Sequence, residues 1–98
     1  MLVSFHDIGA EDVYNGRDTR KARRVCPVSL WRVAQRKLSY MAEASELRDL
    51  KAPPRNHLEA LTGARAGQHS IRINDQYRIC FRWTPQGAAE VEIVDYHR

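Results

Sequence analysis

The hydrophobic period of this chain changes once, at Pro53-Pro54, and that change limits the folds open to it. Before the diproline, Trp31, Ala34, Leu38 and Met41 recur at intervals of three and four, flanked by Leu30 and Ala44. Arg32, Arg36, Lys37 and Glu43 lie off that stripe. The spacing predicts a main helix over residues 28–44, with Pro27 in the first turn, where a missing N–H costs nothing. Ser45 is expected to cap a further turn through Leu50. The diproline ends that segment and sets an extended linker. Beyond it the period is two, over residues 70–74, 77–83 and 90–94. Asn74-Asp75-Gln76 and Thr84-Pro85-Gln86-Gly87 supply the turns between these strands. Residues 1–6 read as one more short strand, and residues 10–15 as one or two helical turns closed by Gly16. This order predicts an α+β fold, an antiparallel sheet with helices packed on one face.

A chain of 98 residues has room for one core, so residues 1–98 are expected to form a single domain. Leu, Ile, Val and Phe are scarce, and the tryptophans, tyrosines and methionines are expected to help fill it. The longest stretches without a charged residue run only over 25–31 and 83–89, far short of the roughly 20 apolar residues a membrane span needs. Residues 1–6 lack the basic start and apolar run of a signal peptide. Cys26 and Cys80 make neither a CxxC pair nor a disulfide framework, so a reduced, cytoplasmic setting is expected. With 16 Lys+Arg against 12 Asp+Glu the net charge is +4, and thirteen of the cations are arginine. That bias fits an anionic partner, nucleic acid first. Residues 17–24 hold five cations and one anion, as a solvated loop or a contact surface.

Alternation sorts the strand residues onto two faces. Ile71, Ile73, Tyr77, Ile79, Phe81, Trp83, Val91 and Ile93 form the apolar face, which the helices need as cover. Arg72, Arg78 and Arg82 fall on the other, edged by Glu92 and Tyr96. Such a face could hold an RNA backbone. It could equally be an ordinary solvated sheet face, with Arg82 and Glu92 as a cross-strand ion pair. The histidines His6, His57, His69 and His97 show no metal-ligand spacing, so no metal or other cofactor is expected. His69 is expected at a sheet edge in a structural role. Asp95, Tyr96 and His97 place three proton-exchanging side chains in succession after the last strand.

The run from Asn56 to Trp83 (NHLEALTGARAGQHSIRINDQYRICFRW) resembles the HigB-like toxins, the plasmid maintenance killer branch of the RelE superfamily. The ending Val91-Glu92-Ile93-Val94-Asp95-Tyr96-His97 is similar to that family's C-terminal motif. The opening Ser4-Phe5-His6-Asp7-Ile8-Gly9 is similar to its first strand. The resemblance implies a small RelE-like domain acting as the toxin of a bacterial type II toxin–antitoxin system. Such a toxin is an mRNA endoribonuclease that enters the ribosomal decoding site and inhibits translation. It also implies a HigA-like antitoxin with a helix-turn-helix domain, and a complex of the two that binds operator DNA. The sequence departs from the family at Thr62, where a lysine is common, and at Ala64, where an acid is common. Some members carry histidine at the Glu59 position.

Metal-free RNA cleavage needs a base for the ribose 2′-OH, a cation for the phosphorane and an acid for the leaving 5′-oxygen. That chemistry assigns Arg78 to the scissile phosphate, with Arg72 or Arg65 in support, because guanidinium binds phosphate oxygens in pairs. Glu59 and His97 are the acid–base candidates, with the order between them open. Tyr96 is expected to stack on a base or orient the 2′-OH, and Asp95 to position His97 or contact the nucleotide. Two non-catalytic readings stand beside this. One is a ribosome binder that blocks translation by occupancy, and the other a co-repressor that only binds its antitoxin.

Overall fold

The computed structural model describes residues 1–96. Among them, three α-helices precede a four-stranded antiparallel sheet of order β1-β2-β3-β4, the α+β architecture expected of a RelE-like domain. The helices are α1 (Ile8–Tyr14), α2 (Arg20–Val25) and α3 (Trp31–Glu43). The strands are β1 (Glu59–Ala60), β2 (His69–Arg72), β3 (Tyr77–Thr84) and β4 (Gly87–Asp95). The period change at the diproline is the boundary between the two halves.

One face of the sheet takes all three helices. Ile71, Ile79, Phe81, Val91 and Ile93 meet Ala34, Leu38 and Met41 of α3, Ala10 and Val13 of α1, and Ala22 of α2. Each large side chain buried there contributes about 1.5–3 kcal/mol. The scarce large aliphatics are supplemented by small residues that let backbones approach. Of the other side chains expected in the core, Met41 is fully buried, and Trp31, Trp83, Tyr14 and Tyr77 pack around it half-buried. Met1 and Tyr40 are exposed instead. Burial pushes the Cys26 thiol up to about 11, so it is an inert core residue at neutral pH.

The structure corrects the sequence reading at several points. Part of the basic run is helix and not loop: its second half is α2, with its cations exposed, capped by Thr19, whose hydroxyl accepts from the Ala22 N–H at 3.1 Å. Thr19 in turn donates to Asp12 at 2.8 Å, tying α2 to α1. The main helix starts as a 3₁₀ turn, Val28–Leu30, before α3 proper. The turn after α3, Leu47–Lys51, is capped by Glu46 in a reciprocal box with Asp49, not by Ser45.

Residues 1–6 form no continuous strand. They run parallel to β4 and pair with it at the isolated bridges Leu2↔Ala88 and Phe5↔Val91. The interruption lies in β4. Between Cys80↔Glu92 and Arg82↔Ala89 the register shifts, with Glu90 at φ +52°, so Phe81 faces two residues. The Glu90 N–H turns to the Ser4 hydroxyl at 2.9 Å instead of continuing the ladder.

Gly9 marks the closest helix approach. A Cβ there would lie 2.7 Å from the Lys21 carbonyl oxygen, which is backbone and cannot swing away. Gly9→Ala is therefore expected to separate α1 from α2 and cost about 1–3 kcal/mol. Urea denaturation checks this through a lower midpoint with unchanged slope.

Candidate active site

The uncovered face of the sheet is organised in transverse rows. Cross-strand partners point the same way, so Glu59, Ser70, Cys80 and Glu92 make one row across all four strands. Arg72, Arg78 and Val94 make the next.

Arg78 sits on this face between Arg72 of β2 and Val94 of β4 and is only 8% exposed. Its Nε donates to the Ser70 hydroxyl at 2.8 Å, and Nη2 donates to the His57 carbonyl at 2.7 Å. The Glu59 carboxylate stands 3.3 Å from the same Nη2. The Tyr96 ring lies 5.9 Å from the guanidinium carbon. Each contact has a local cause. Ser70 and Glu59 are cross-strand neighbours on β2 and β1. His57 adopts a left-handed conformation, φ 45°, at the end of the 3₁₀ turn Pro54–Asn56, and so aims its carbonyl at Arg78. Asn56 fixes that turn: its side-chain amide donates to the Leu50 and Ala52 carbonyls, and its oxygen accepts from Lys37 at 2.6 Å. Among the described residues Nη1 has no acceptor, which leaves that edge of the guanidinium for an incoming oxygen.

Beside this centre lies an open groove of about 550 Å³ lined by Leu61, Thr62, Ala64, Arg65, Val94, Asp95 and Tyr96. Arg65 reaches over it from the 3₁₀ turn Gly63–Arg65 and donates to Glu92 and Gln68, both at 3.0 Å. The bond to Glu92 raises the Arg65 pKa further, so the charge there is permanent. The Tyr96 hydroxyl lies 3.8 Å from the Cys80 sulfur. Burial first, then that contact, push the Tyr96 phenol above the usual tyrosine range, so it stays a neutral donor. Asp95 is exposed at the end of β4 and accepts from the Gln76 amide at 3.1 Å.

The structure thus brings Glu59, Arg78, Tyr96 and Arg65 to one face, whereas Asp95, opposite Tyr77, has the parity of the apolar face and borders the groove at the end of β4. Arg72 shares the row of Arg78 but turns toward Asp75, 3.7 Å away, at the hairpin end. His97 lies outside the described residues. The expected Arg82–Glu92 pair is not formed: the bulge hands Arg82 to Glu90 at 3.1 Å and leaves Glu92 to Arg65. His69 is on β2, an inner strand, stacked on Phe81 with ring centres 6.3 Å apart, and not at an edge. Sequence reasoning missed Ser70 and the His57 carbonyl as holders of Arg78. Ser70 was legible as the residue opposite Arg78's neighbour, whereas a backbone carbonyl leaves no trace in side-chain pattern. His6, Asp7 and Glu92 bring three ligand-type atoms within 4.8 Å of one another, but Asp7 already caps α1 and Glu92 already holds Arg65.

A four-stranded antiparallel sheet backed by helices on one face is consistent with a RelE-like domain. Comparison with known proteins agrees. The model of the HigB-like toxin family, described as RelE-like toxins of type II toxin–antitoxin systems, matches residues 3–97. Toxin HigB-1 of Vibrio cholerae is 36% identical over 98 residues, covering 100% of this chain and 99% of that protein. An uncharacterized protein of Haemophilus influenzae is 39% identical over 57 residues, 58% of this chain and 56% of its own length. The chain belongs to the HigB-like toxin family, and membership of a type II system implies an antitoxin partner. No helix among the described residues is long and apolar enough to cross a membrane.

The neutral phenol of Tyr96 is favoured by the fold, so its contribution to stability is whole below the ordinary tyrosine pKa of about 10 and is lost as pH rises through the higher folded value. Ultraviolet titration of the wild type minus Tyr96→Phe is expected to show a phenolate midpoint above about 10. A midpoint at or below that value contradicts the burial argument.

Proposed function

We propose that this chain is a ribosome-dependent mRNA endoribonuclease that stops translation. The observation that carries the proposal is the oriented Arg78, set between Glu59 and Tyr96 on an otherwise open face. In this reading the ribose 2′-oxygen attacks the adjacent phosphorus, the O2′–P bond forms and the P–O5′ bond breaks. Glu59 accepts the 2′-OH proton, since an acceptor oxygen stands beside the cation that would grip the phosphate. His97 supplies the proton to the leaving 5′-oxygen. Arg78 meets the charge that grows on the phosphorane oxygens, with Arg65 and Arg72 on flanking phosphates. Tyr96, held neutral, orients the 2′-OH or stacks on a base, and Asp95 borders the same groove. No metal or other cofactor enters these steps.

The ribosome's part has a physical basis. A site of two modest acid–base groups gains most when the RNA is already bent for in-line attack, as mRNA held in the decoding centre would be. The same reading places the action in the cytoplasm. It gives the chain a HigA-like helix-turn-helix antitoxin as partner, and operator DNA as the target of their complex. The cationic side of α2, with Arg20 and Arg24, is available to ribosomal RNA or to the antitoxin.

A second reading draws on one observation. Thr62 and Ala64 line the groove where relatives often carry charge, so fewer groups grip the RNA, and the protein would block translation by occupancy alone. Primer extension on an mRNA translated in a cell-free system separates the two. The nuclease reading expects new 5′ ends that require ribosomes. Arg78→Ala and His97→Ala are each expected to lower the cutting rate by about 10²-fold or more. Stalled translation on intact mRNA would establish occupancy instead.

A further inference from the structure

A second groove, of about 450 Å³, lies on the opposite side of Arg78 from the Tyr96 groove. Its walls include Arg36 and Lys37 of α3, Arg55, His57, and Arg72 of β2. Asp75 is its one carboxylate, and that is wholly exposed and turned to Arg72. Lys37 is the telling residue. It is only 8% exposed, yet its ammonium donates to a neutral partner, the Asn56 side-chain oxygen. No carboxylate pairs with Lys37, Arg36 or Arg55 among the described residues.

A buried cation without an anion is costly, and a neutral acceptor offsets only part of the desolvation. Burial first, then the neighbouring Arg36 charge, lower the Lys37 pKa, which reflects the same unmet cost. The Arg36 charge beside that ammonium adds repulsion that no carboxylate among the described residues relieves. An external anion entering the groove would relieve it.

From this arrangement we infer that the groove between α3 and the β2–β3 turn is a second binding site for RNA phosphates, gripped by Lys37, Arg36 and Arg55. RNA fits better than an acidic peptide because the groove adjoins the proposed cleavage centre through two of its lining residues. Arg72 is the cross-strand partner of Arg78, and His57 lines the groove while its carbonyl holds Arg78. A strand whose scissile phosphate lies on Arg78 therefore has neighbouring phosphates beside this groove. Planar guanidinium groups also stack on unpaired bases, which a carboxylate chain does not offer. The inference rests on the proposed RNA-cleaving function and extends it to where the strand runs.

The test is binding, not cleavage. The probe is a short single-stranded RNA with 2′-O-methyl riboses, which cannot be cut, titrated against the full chain at several salt concentrations. Each phosphate contact on single-stranded RNA adds about 0.7 to the log–log salt slope. The exposed double variant Arg36→Ala/Arg55→Ala is expected to lower that slope by about 1.4 and weaken binding roughly tenfold at 0.15 M salt. Lys37→Met keeps the side-chain length and removes the charge. It is expected to shrink the rise in melting temperature that the same RNA gives the wild type. Slope and affinity unchanged in the double variant overturn the second site while leaving Arg78's role intact. Wild-type protein that ignores the probe overturns both this inference and the RNA reading beneath it. A polyglutamate peptide that binds more tightly than RNA, and loses that binding in the double variant, overturns it in favour of an acidic protein partner.

Discussion

Everything on the open face depends on one buried guanidinium. Arg78 lies near the start of β3, buried where a cation has little water around it, and it is tolerated because three acceptors surround it. Two of them, the Ser70 hydroxyl and the His57 carbonyl, are neutral. They fix the orientation of the group without cancelling its charge. The third, Glu59, is exposed and at the longer distance, so it pairs with Arg78 loosely enough to face a substrate as well. A guanidinium held this way pays its ordering cost during folding, before any RNA arrives. The support extends inward from Arg78 to His57, from His57 to the Asn56 turn, and from Asn56 to Lys37 on α3. The helical layer therefore sets the aim of a side chain on the far side of the sheet.

The period change at the diproline made the large architecture legible, because burial on one face imposes a repeat that sequence displays directly. The strand alternation put Arg72, Arg78 and Tyr96 on the uncovered face for the same reason. What stayed hidden was local or aperiodic. The six residues of α2 are too few to show a period, and their cap, Thr19, stands inside a run that reads as charge. The bulge at Glu90 exchanges the partners of Arg82 and Glu92, and nothing in an alternating pattern marks where a strand gains a residue. Lys37 lies off the apolar stripe and looked solvated, yet the linker after α3 folds back over it.

The two sides of Arg78 differ in a way that bears on function. Toward Tyr96 the groove is shallow in charge: Arg65 is committed to Glu92, and Thr62 and Ala64 are small and neutral. Toward Arg55 the charge is dense, and Arg36, Lys37 and Arg55 have no carboxylate partner among the described residues. In the proposed reading, the cations on the second side offset the lack of charge at Thr62 and Ala64 on the first. In that reading, affinity and chemistry are carried by neighbouring regions, the α3 groove and the open sheet face, with Arg78 at the join.

The orientation of Arg78 is the central claim, and Ser70→Ala tests it most directly. That change removes one small hydroxyl from a fully buried position and leaves every charge in place. The measurement is the single-turnover rate of mRNA cleavage on programmed ribosomes, alongside the thermal midpoint. The account predicts a rate roughly tenfold lower, about 1.4 kcal/mol of lost transition-state stabilisation, in a protein that still folds cooperatively. A rate equal to wild type would show that the charge of Arg78 suffices however it is aimed, and would contradict the account.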